Sequence, residues 1–178
     1  MMMNKKFLLP LLMTVALFLV SCDKDDDPIV TNPFDDQSES SDAARSKIVV
    51  ISDLHMGNDL VYSENVKHLD RLEQFLKEVR ASETIKELVL GGDILDEWYV
   101  PTRIDTYGSG TQADFVRKSV EANKNVFDVL NGIIRDGHIK VTYLPGNHDM
   151  GFLPEQINIA MPGVNQARDA GERYPVGT

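Results

Sequence analysis

Residues 143–149, Tyr-Leu-Pro-Gly-Asn-His-Asp, place three polar side chains directly after an apolar run. Gly146 permits a sharp backbone turn, so Asn147, His148 and Asp149 are predicted to lie at the exposed end of a strand. An amide, an imidazole and a carboxylate together offer a metal ligand, a titratable acid and a group that orients this acid. The turn is therefore a candidate for chemistry rather than for the hydrophobic core.

Two other apolar runs end in the same way. The run Ile48–Ile51 leads into Asp53 and His55, and the run Leu88–Leu90 leads into Asp93. In an extended Asp-x-His segment both side chains point to the same side, so one ion can take both. These side chains offer oxygen and imidazole ligands but no thiolate. Such a set suits two divalent metal ions, which could be manganese, iron, zinc or magnesium. Two such ions would polarise a phosphoryl oxygen and activate a bridging water, which favours hydrolysis of phosphate esters.

The segments between the apolar runs are predicted to be helical. Apolar residues recur every three or four positions from Glu64 to Arg80 and, less regularly, from Gln112 to Arg135. A third strand is predicted from His138 to Leu144. Alternating strand, polar turn and helix predict an α/β fold with a parallel sheet and right-handed crossovers. Because such sheets bind ligands beyond the carboxyl ends of their strands, the three polar turns are predicted to converge there.

The motifs Asp-x-His, Gly-Asp-x-x-Asp and Gly-Asn-His-Asp, in this order over residues 47–153, resemble those of the calcineurin-like metallophosphoesterases. The resemblance implies that Asp53 and His55 hold the first of two divalent ions. It also implies that Asp93 bridges the two ions and that Asn147 binds the second. A lone aspartate after a strand more commonly caps a helix, so the set of three motifs is what favours metal ligation.

The same resemblance assigns roles around the metal ligands. His148 would stabilise the transition state or protonate the leaving oxygen, with Asp149 orienting its ring. Asp96, at the end of the second motif, would support the hydrogen bonding of the site. The segment Gly-Asp-Ile-Leu-Asp-Glu-Trp, residues 92–98, resembles a segment found in the subgroup of this family that hydrolyses the pyrophosphate of diacylated UDP-glucosamine. In that subgroup an aromatic residue at this position lies close to the substrate. Trp98 is therefore a candidate substrate-binding residue, with simple packing as the alternative.

The first residues of the chain are typical of an export signal. Lys5 and Lys6 precede the apolar run Phe7–Val20, which is shorter than the roughly 20 residues that usually span a bilayer. The sequence Leu-Val-Ser-Cys, ending at Cys22, resembles a bacterial lipobox. It implies a lipidated Cys22 and a membrane-anchored protein of a Gram-negative cell envelope, either periplasmic or surface-exposed. An ordinary signal peptide, or a short anchor with an incidental cysteine, is the alternative.

Residues 23–46 are predicted to be an acidic, disordered tether between the signal peptide, residues 1–22, and the phosphoesterase segment, residues 47–178. They contain few apolar side chains, so they bury too little surface to offset chain entropy. The formal net charge of the chain is -10. Much of it lies in this tether, and no basic stripe occurs elsewhere, so sequence-specific binding of nucleic acid is not expected. Phosphorylated small molecules, lipids or nucleotides are the expected substrates.

The chain departs from the family pattern after His148, its last histidine. The family completes its metal site with later histidines, which the second half of the domain supplies. The resemblance therefore implies the first half of a four-layer αββα sandwich, a mostly parallel sheet with covering helices. A truncated chain with weak metal binding and negligible turnover is the simplest expectation. The alternatives are a dimer that covers the open sheet face and a non-catalytic, lipid-anchored surface protein that retains the fold for binding or assembly.

Overall fold

The computed structural model describes residues 32–35, 45–61, 63–98 and 105–167. Its centre is a parallel sheet whose strands follow the chain order, namely β1 (Lys47–Ile51), β2 (Ile85–Gly91), β3 (Lys140–Leu144) and β4 (Asn165–Gln166). A short 3-10 helix at Glu64–His68 precedes the first of four connecting helices, α1 (Leu69–Ala81), α2 (Gln112–Ala122), α3 (Lys124–Asp136) and α4 (Pro154–Ala160). The predicted α/β fold with a parallel sheet and covering helices is confirmed.

The core lies on one face of the sheet. Leu88 and Leu90 of β2 pair with Val141 and Tyr143 of β3, and all four side chains are buried. They share one hydrophobic cluster with the apolar faces of the helices, in which α1 packs against α3 and α2 packs against α4. The three- and four-residue spacing that predicted these helices thus corresponds to side chains that cover the sheet.

The opposite face of the sheet is open at β1. Ile48 and Val50 are 59% and 64% exposed, although both are β-branched residues in the middle of a strand. On the neighbouring strands polar contacts occupy the same face. Thr142 donates a hydrogen bond to Glu87 at 2.5 Å, and Lys140 lies 3.0 Å from the same carboxylate. The exposed apolar surface predicted for this face is therefore concentrated on β1.

The single helix predicted from Gln112 to Arg135 is in fact two helices that meet at Asn123. The buried Asn123 side chain donates to the carbonyl of Ser119, four residues earlier, at 2.8 Å, and to the carbonyl of Gly57 at 2.9 Å. An asparagine that bonds local carbonyls competes with the regular helical pattern, so the helix is interrupted here. Apolar spacing does not reveal such a break because both helices bury similar residues.

Two elements after His148 were not predicted from the sequence. Helix α4 begins with Pro154 at its first turn, where a missing N–H is tolerated, and buries Ile157 and Ala160. Strand β4 is only two residues long and pairs with β3 at Thr142 and Tyr143. The sheet thus has four strands rather than three, because a two-residue strand is too short to show any periodicity.

Residues 32–35 belong to the folded unit rather than to a disordered tether. Asn32 donates to the carbonyl of Glu78 at 2.6 Å, and the ring of Phe34 packs edge-on against Phe75 at 5.7 Å. Residues 1–31 and 36–44 of the predicted signal peptide and tether, including Cys22, lie outside the described residues. None of the helices that the structure describes is long and apolar enough to cross a membrane.

Asp35 fixes this segment to the turn before β2. Its carboxylate accepts hydrogen bonds from the Ser82 hydroxyl at 2.6 Å and from the Thr84 hydroxyl at 3.0 Å, and the amides of Glu83 and Thr84 also donate to it. Burial alone would raise the pKa of Asp35, but these hydrogen bonds together hold it below the usual value. The ionised carboxylate is therefore the form that stabilises the fold.

We expect Asp35→Ala to lower the free energy of unfolding by about 1–3 kcal/mol at neutral pH, because several donors lose a charged acceptor. A carboxylate whose pKa is lowered in the folded state stabilises above its unfolded pKa of about 3.9. The difference between the wild type and the variant should therefore shrink as pH falls through the lowered folded pKa. Urea unfolding at several pH values measures it.

Asp128→Ala is the matched control for this change. Asp128 is an exposed carboxylate on α3 that pairs with Lys124, one helical turn away, at 2.6 Å. Such surface pairs contribute about 0.3–0.5 kcal/mol. Equal destabilisation by the two substitutions would contradict the anchoring role of Asp35.

Candidate active site

The turns after β1 and β2 run side by side beyond the end of the sheet. The amide of Asp53 donates to the carbonyl of Gly92 at 3.0 Å, and the amide of His55 donates to the carbonyl of Asp93 at 2.9 Å. A parallel bridge between Met56 and Leu95 continues this pairing. The first two polar motifs are thereby held in register at the carboxyl edge of the sheet, as the sequence predicted.

The backbone of the Asp-x-His segment differs from the extended form predicted from the sequence. Asp53 and His55 have positive φ angles of 57° and 46°, and Asp93 has one of 54°. Non-glycine residues in this region cost about 1–3 kcal/mol each and persist only where surrounding contacts fix them. Here the hydrogen bonds between the two turns provide that constraint. The close approach of the side chains thus arises from paired turns and not from strand alternation.

Asp53, His55 and Asp93 form a group with the chemistry of a metal site. Their ligand atoms lie within 4.8 Å of one another, and His55 Nε2 is 3.9 Å from a carboxylate oxygen of Asp53. Two carboxylates and an imidazole suit a divalent ion of the manganese, iron, zinc or magnesium class. The residues present therefore fit the ion that the sequence predicted at this position.

Asp96 binds both histidine rings of the site. Nδ1 of His55 donates to one oxygen of the Asp96 carboxylate at 3.1 Å, and Nδ1 of His148 donates to the other oxygen at 3.0 Å. A carboxylate only accepts, so each ring carries its hydrogen on Nδ1 at these contacts. In His55 this places Nε2 toward Asp53, which is the arrangement in which a carboxylate orients a metal-binding imidazole.

Asp149 does not occupy the position predicted for it. Its carboxylate is fully buried and accepts hydrogen bonds from the amide of Ile94 at 2.8 Å and from the amide of Gly146 at 2.6 Å. Burial raises the pKa of Asp149, while these backbone hydrogen bonds oppose the shift. The carboxylate that orients the His148 ring is that of Asp96, and Asp149 instead ties the turn after β3 to the turn after β2.

The same two turns approach so closely that glycine is required at both. A Cβ atom on Gly92, which has a φ of 100°, would lie 2.8 Å from the Cα and N atoms of Gly146. A Cβ atom on Gly146 would lie 2.6 Å from the backbone N of Asp93 and would also overlap its carboxylate. The amide of His148 donates to that carboxylate at 2.7 Å. Gly146 therefore sets the position of Asp93 relative to His148.

We expect Gly146→Ala to destabilise the protein by about 3 kcal/mol, because the new methyl group would overlap the backbone of Asp93, and rotation of a side chain cannot relieve that overlap. We also expect it to weaken metal binding, since Asp93 must move. Gly151→Ala is the control in the same loop, where the nearest atoms to a new Cβ lie at 3.8 and 3.9 Å. Thermal unfolding measures both variants, and similar midpoints would contradict the close-approach argument.

The remaining predicted site residues lie around this centre. Asn147 is exposed in the turn next to His148. The ring of Trp98 lies 4.8 Å from the His148 ring and its backbone amide donates to Asp96 at 2.7 Å. Trp98 thus lies beside His148, and its exposure of 55% excludes packing in the core. Asp53, His55, Asp93, Asp96, Asn147, His148 and Trp98 all lie at the carboxyl edge of the sheet, as expected.

A parallel α/β sheet with carboxylates and imidazoles gathered at its carboxyl edge is an arrangement that a metal-dependent hydrolase can use. The sequence model of the calcineurin-like phosphoesterase family matches residues 46–177, which is most of the chain. The chain belongs to this family. No curated protein and no solved structure matches the chain significantly.

Family membership supports a hydrolase that acts on phosphate esters with the help of a bound metal. The group formed by Asp53, His55 and Asp93 provides residues that could hold such a metal. A second group, His55, Asp96 and His148, also lies within this distance, but its close contacts are the two hydrogen bonds already described. The first group is therefore the better candidate for the metal centre.

Proposed function

We propose that this protein hydrolyses phosphomonoesters, phosphodiesters or pyrophosphates at a two-metal site on the carboxyl edge of the sheet. Asp53, His55 and Asp93 hold the first ion. Asp93 and Asn147 contribute to the second. The observation that carries the proposal is the approach of three donor side chains to within 4.8 Å, with His55 turned by Asp96 so that Nε2 points to the same place.

Divalent ions at this position would supply a Lewis acid for the phosphoryl oxygen and lower the pKa of a bound water. The chain itself supplies the shape of the site. Three turns fix the ligands before any ion binds, through the amide-to-carbonyl hydrogen bonds of Asp53 and His55 and through the buried carboxylate of Asp149. A site formed in advance pays little ordering entropy on binding.

His148 is proposed to donate the proton that the departing alcohol requires. Hydrolysis breaks the bond between phosphorus and the alcohol oxygen and forms a bond between phosphorus and a water oxygen. The proton of His148 goes to the departing oxygen, and the proton that the water releases restores that of His148. Because Nδ1 of His148 is held by Asp96, Nε2 is the nitrogen that delivers this proton. Asp96 acts as a positioning residue that also stabilises the charged ring.

The location of the protein is proposed from the amino-terminal sequence alone. Lipidation of Cys22 would attach the phosphoesterase domain to the cell envelope of a Gram-negative bacterium. Dimerisation over the exposed β1 face, where Ile48 and Val50 lie, is proposed as one means of covering that surface. Mass spectrometry of the membrane fraction tests the lipid, and analytical ultracentrifugation tests the dimer.

The test of the proposed function combines metal binding with turnover. We expect the metal-free protein, in a form that carries the later histidines of the family pattern, to bind Mn²⁺, measured by electron paramagnetic resonance, and to hydrolyse bis(p-nitrophenyl) phosphate in its presence. A chelator should remove both properties, because the catalytic groups depend on the ion. Hydrolysis that persists after chelation would overturn the proposal. Bound Mn²⁺ without hydrolysis would favour the non-catalytic binding protein.

A further inference from the structure

His55, Asp96 and His148 form a second group of potential metal ligands, named here the two-histidine group. Their ligand atoms lie within 4.8 Å of one another. The group is well sheltered, since 6% of the Asp96 side chain, 14% of the His55 side chain and 26% of the His148 side chain are exposed. It shares His55 with the first group, in which the Asp53 side chain is 68% exposed. The two groups are therefore adjacent but differ in their access to water.

The spacing of the ligand atoms in the two-histidine group is close to the spacing around a tetrahedral ion. The Nδ1 atoms of His55 and His148 lie 3.1 and 3.0 Å from the two oxygens of the Asp96 carboxylate. Zinc binds nitrogen and oxygen ligands at about 2.0–2.2 Å, so neighbouring tetrahedral ligands lie about 3.4 Å apart. Each hydrogen bond would thus widen by only about 0.3–0.4 Å if an ion took the place of its hydrogen.

The Asp96 carboxylate is fixed by contacts outside the group. The backbone amide of Trp98 donates a hydrogen bond to it at 2.7 Å, and the residue is buried. Hydrogen bonds of this kind orient the carboxylates that bind metals in proteins. The ligand that the two histidines share is therefore in position before any ion binds.

The two groups offer different ligand atoms. The two-histidine group has two imidazoles and one carboxylate, whereas Asp53, His55 and Asp93 have one imidazole and two carboxylates. Imidazole suits zinc, while carboxylate oxygens suit manganese and magnesium. Two imidazoles and one carboxylate, with a fourth position left open, are also a ligand set that zinc uses in proteins. Zinc is therefore the ion that the two-histidine group should prefer.

His55 cannot serve both groups at once. A neutral imidazole has one nitrogen that carries a hydrogen and one that has a free lone pair. If Nδ1 of His55 binds zinc, its hydrogen moves to Nε2, the atom that lies 3.9 Å from Asp53. Nε2 then has no lone pair for an ion held by Asp53 and Asp93. Zinc in the two-histidine group would also hold the ring of His148.

We propose that the two-histidine group is a zinc site that excludes an ion from the group formed by Asp53, His55 and Asp93. Zinc bound there inhibits the protein, because it takes a ligand from the catalytic ion and holds His148, the proton donor. The zinc site stands on its own ligand geometry, and only the inhibition of turnover rests on the proposed function.

Displacement of manganese tests the exclusion. The metal-free protein is loaded with Mn²⁺, Zn²⁺ is added, and electron paramagnetic resonance follows the Mn²⁺ that is released. We expect Zn²⁺ to release Mn²⁺ from the group that contains Asp53. Zn²⁺ that binds without releasing Mn²⁺ would overturn the proposal. Because zinc binds most nitrogen and oxygen sites more tightly than manganese, release alone does not locate the zinc. Isothermal titration of variants with each ion does so.

Two variants separate the groups. His148→Gln removes an imidazole from the two-histidine group alone, so it should lower Zn²⁺ affinity at least about tenfold and leave Mn²⁺ affinity unchanged. Asp53→Asn removes a carboxylate charge from the first group alone, so it should lower Mn²⁺ affinity at least about tenfold and change Zn²⁺ affinity by less than about twofold.

His138→Gln is the matched control for His148→Gln. It removes the imidazole of an exposed histidine just before β3, and it should change the affinity for neither ion. Thermal unfolding checks that each variant is folded. The same Zn²⁺ affinity in His148→Gln as in His138→Gln would overturn the zinc site. If that result accompanies hydrolysis that requires Mn²⁺, the proposed function stands and this assignment fails.

Discussion

Asp93→Asn is expected to lower manganese affinity at least about hundredfold and to reduce hydrolysis to background. Asp93 contributes to the donor group of the first ion and is the proposed bridge to the second. Changes in residues that merely support metal ligands cost about 10–100-fold in affinity or activity. Removal of a ligand charge should therefore cost more. Isothermal titration with Mn²⁺ measures the affinity, and release of p-nitrophenol measures the turnover.

The asparagine substitution is chosen because it preserves the structural role of Asp93. The oxygen that accepts the His148 amide at 2.7 Å is retained in the amide side chain, so the turn after β3 should stay in place. Thermal unfolding should confirm that the fold is intact. Asp70→Asn, at an exposed position on α1, removes the same charge away from the site and should bind Mn²⁺ normally. Unchanged affinity in Asp93→Asn would contradict the proposed metal centre.

His148→Gln is expected to produce the second large loss, a decrease of about 10²–10⁴-fold in the rate for substrates with poor leaving groups. An alkyl phosphate such as glycerol 2-phosphate requires protonation as it departs, whereas p-nitrophenolate departs with little help. The loss should therefore be much smaller for p-nitrophenyl phosphate. Steady-state kinetics with both substrates measures the ratio. Equal losses with the two leaving groups would show that His148 does not act as the acid.

Asp96→Asn separates the two consequences of the shared carboxylate. An asparagine offers one accepting oxygen where the structure has two Nδ1 donors, from His55 and His148. One ring must then change its tautomer or its orientation. We therefore expect Asp96→Asn to weaken metal binding and to make the rate depend more strongly on the leaving group. His148→Gln should change the dependence on the leaving group without weakening the binding of Mn²⁺.

Much of the fold was accessible from local sequence patterns. The β-branched run before Asp53 and the spacing from Glu64 to Arg80 correspond to β1 and to the helical segment that ends in α1. These predictions succeed because burial of one face imposes a period that is visible in the sequence. The break at Asn123 and the short strand β4 were missed because one depends on a side-chain hydrogen bond and the other is too short to show a period.

The position of residues 32–35 was also not predictable from composition. An acidic and serine-rich segment has too little apolar surface to fold alone. Asp35 is nevertheless held by four donors of the turn before β2, and Phe34 finds Phe75 on α1. The partners of these residues are about forty or fifty positions away in the sequence, so only the folded chain reveals them.

The sequence by itself determined the family and the edge of the sheet at which the polar motifs lie. Each of the three motifs follows directly on an apolar run, and parallel strands end at a common edge. The resemblance based on these motifs is confirmed by the family match over residues 46–177. Whether Asp53, His55, Asp93 and Asn147 bind metal remains a prediction.

Only the tertiary structure decided which carboxylate serves which histidine. The sequence placed Asp149 beside His148 because the two are neighbours, yet Asp149 turns inward to the amides of Ile94 and Gly146. Asp96, more than fifty residues earlier, takes its place at the ring. The physical reason is the close crossing of two turns at Gly92 and Gly146, which buries one carboxylate and brings the other to both imidazoles.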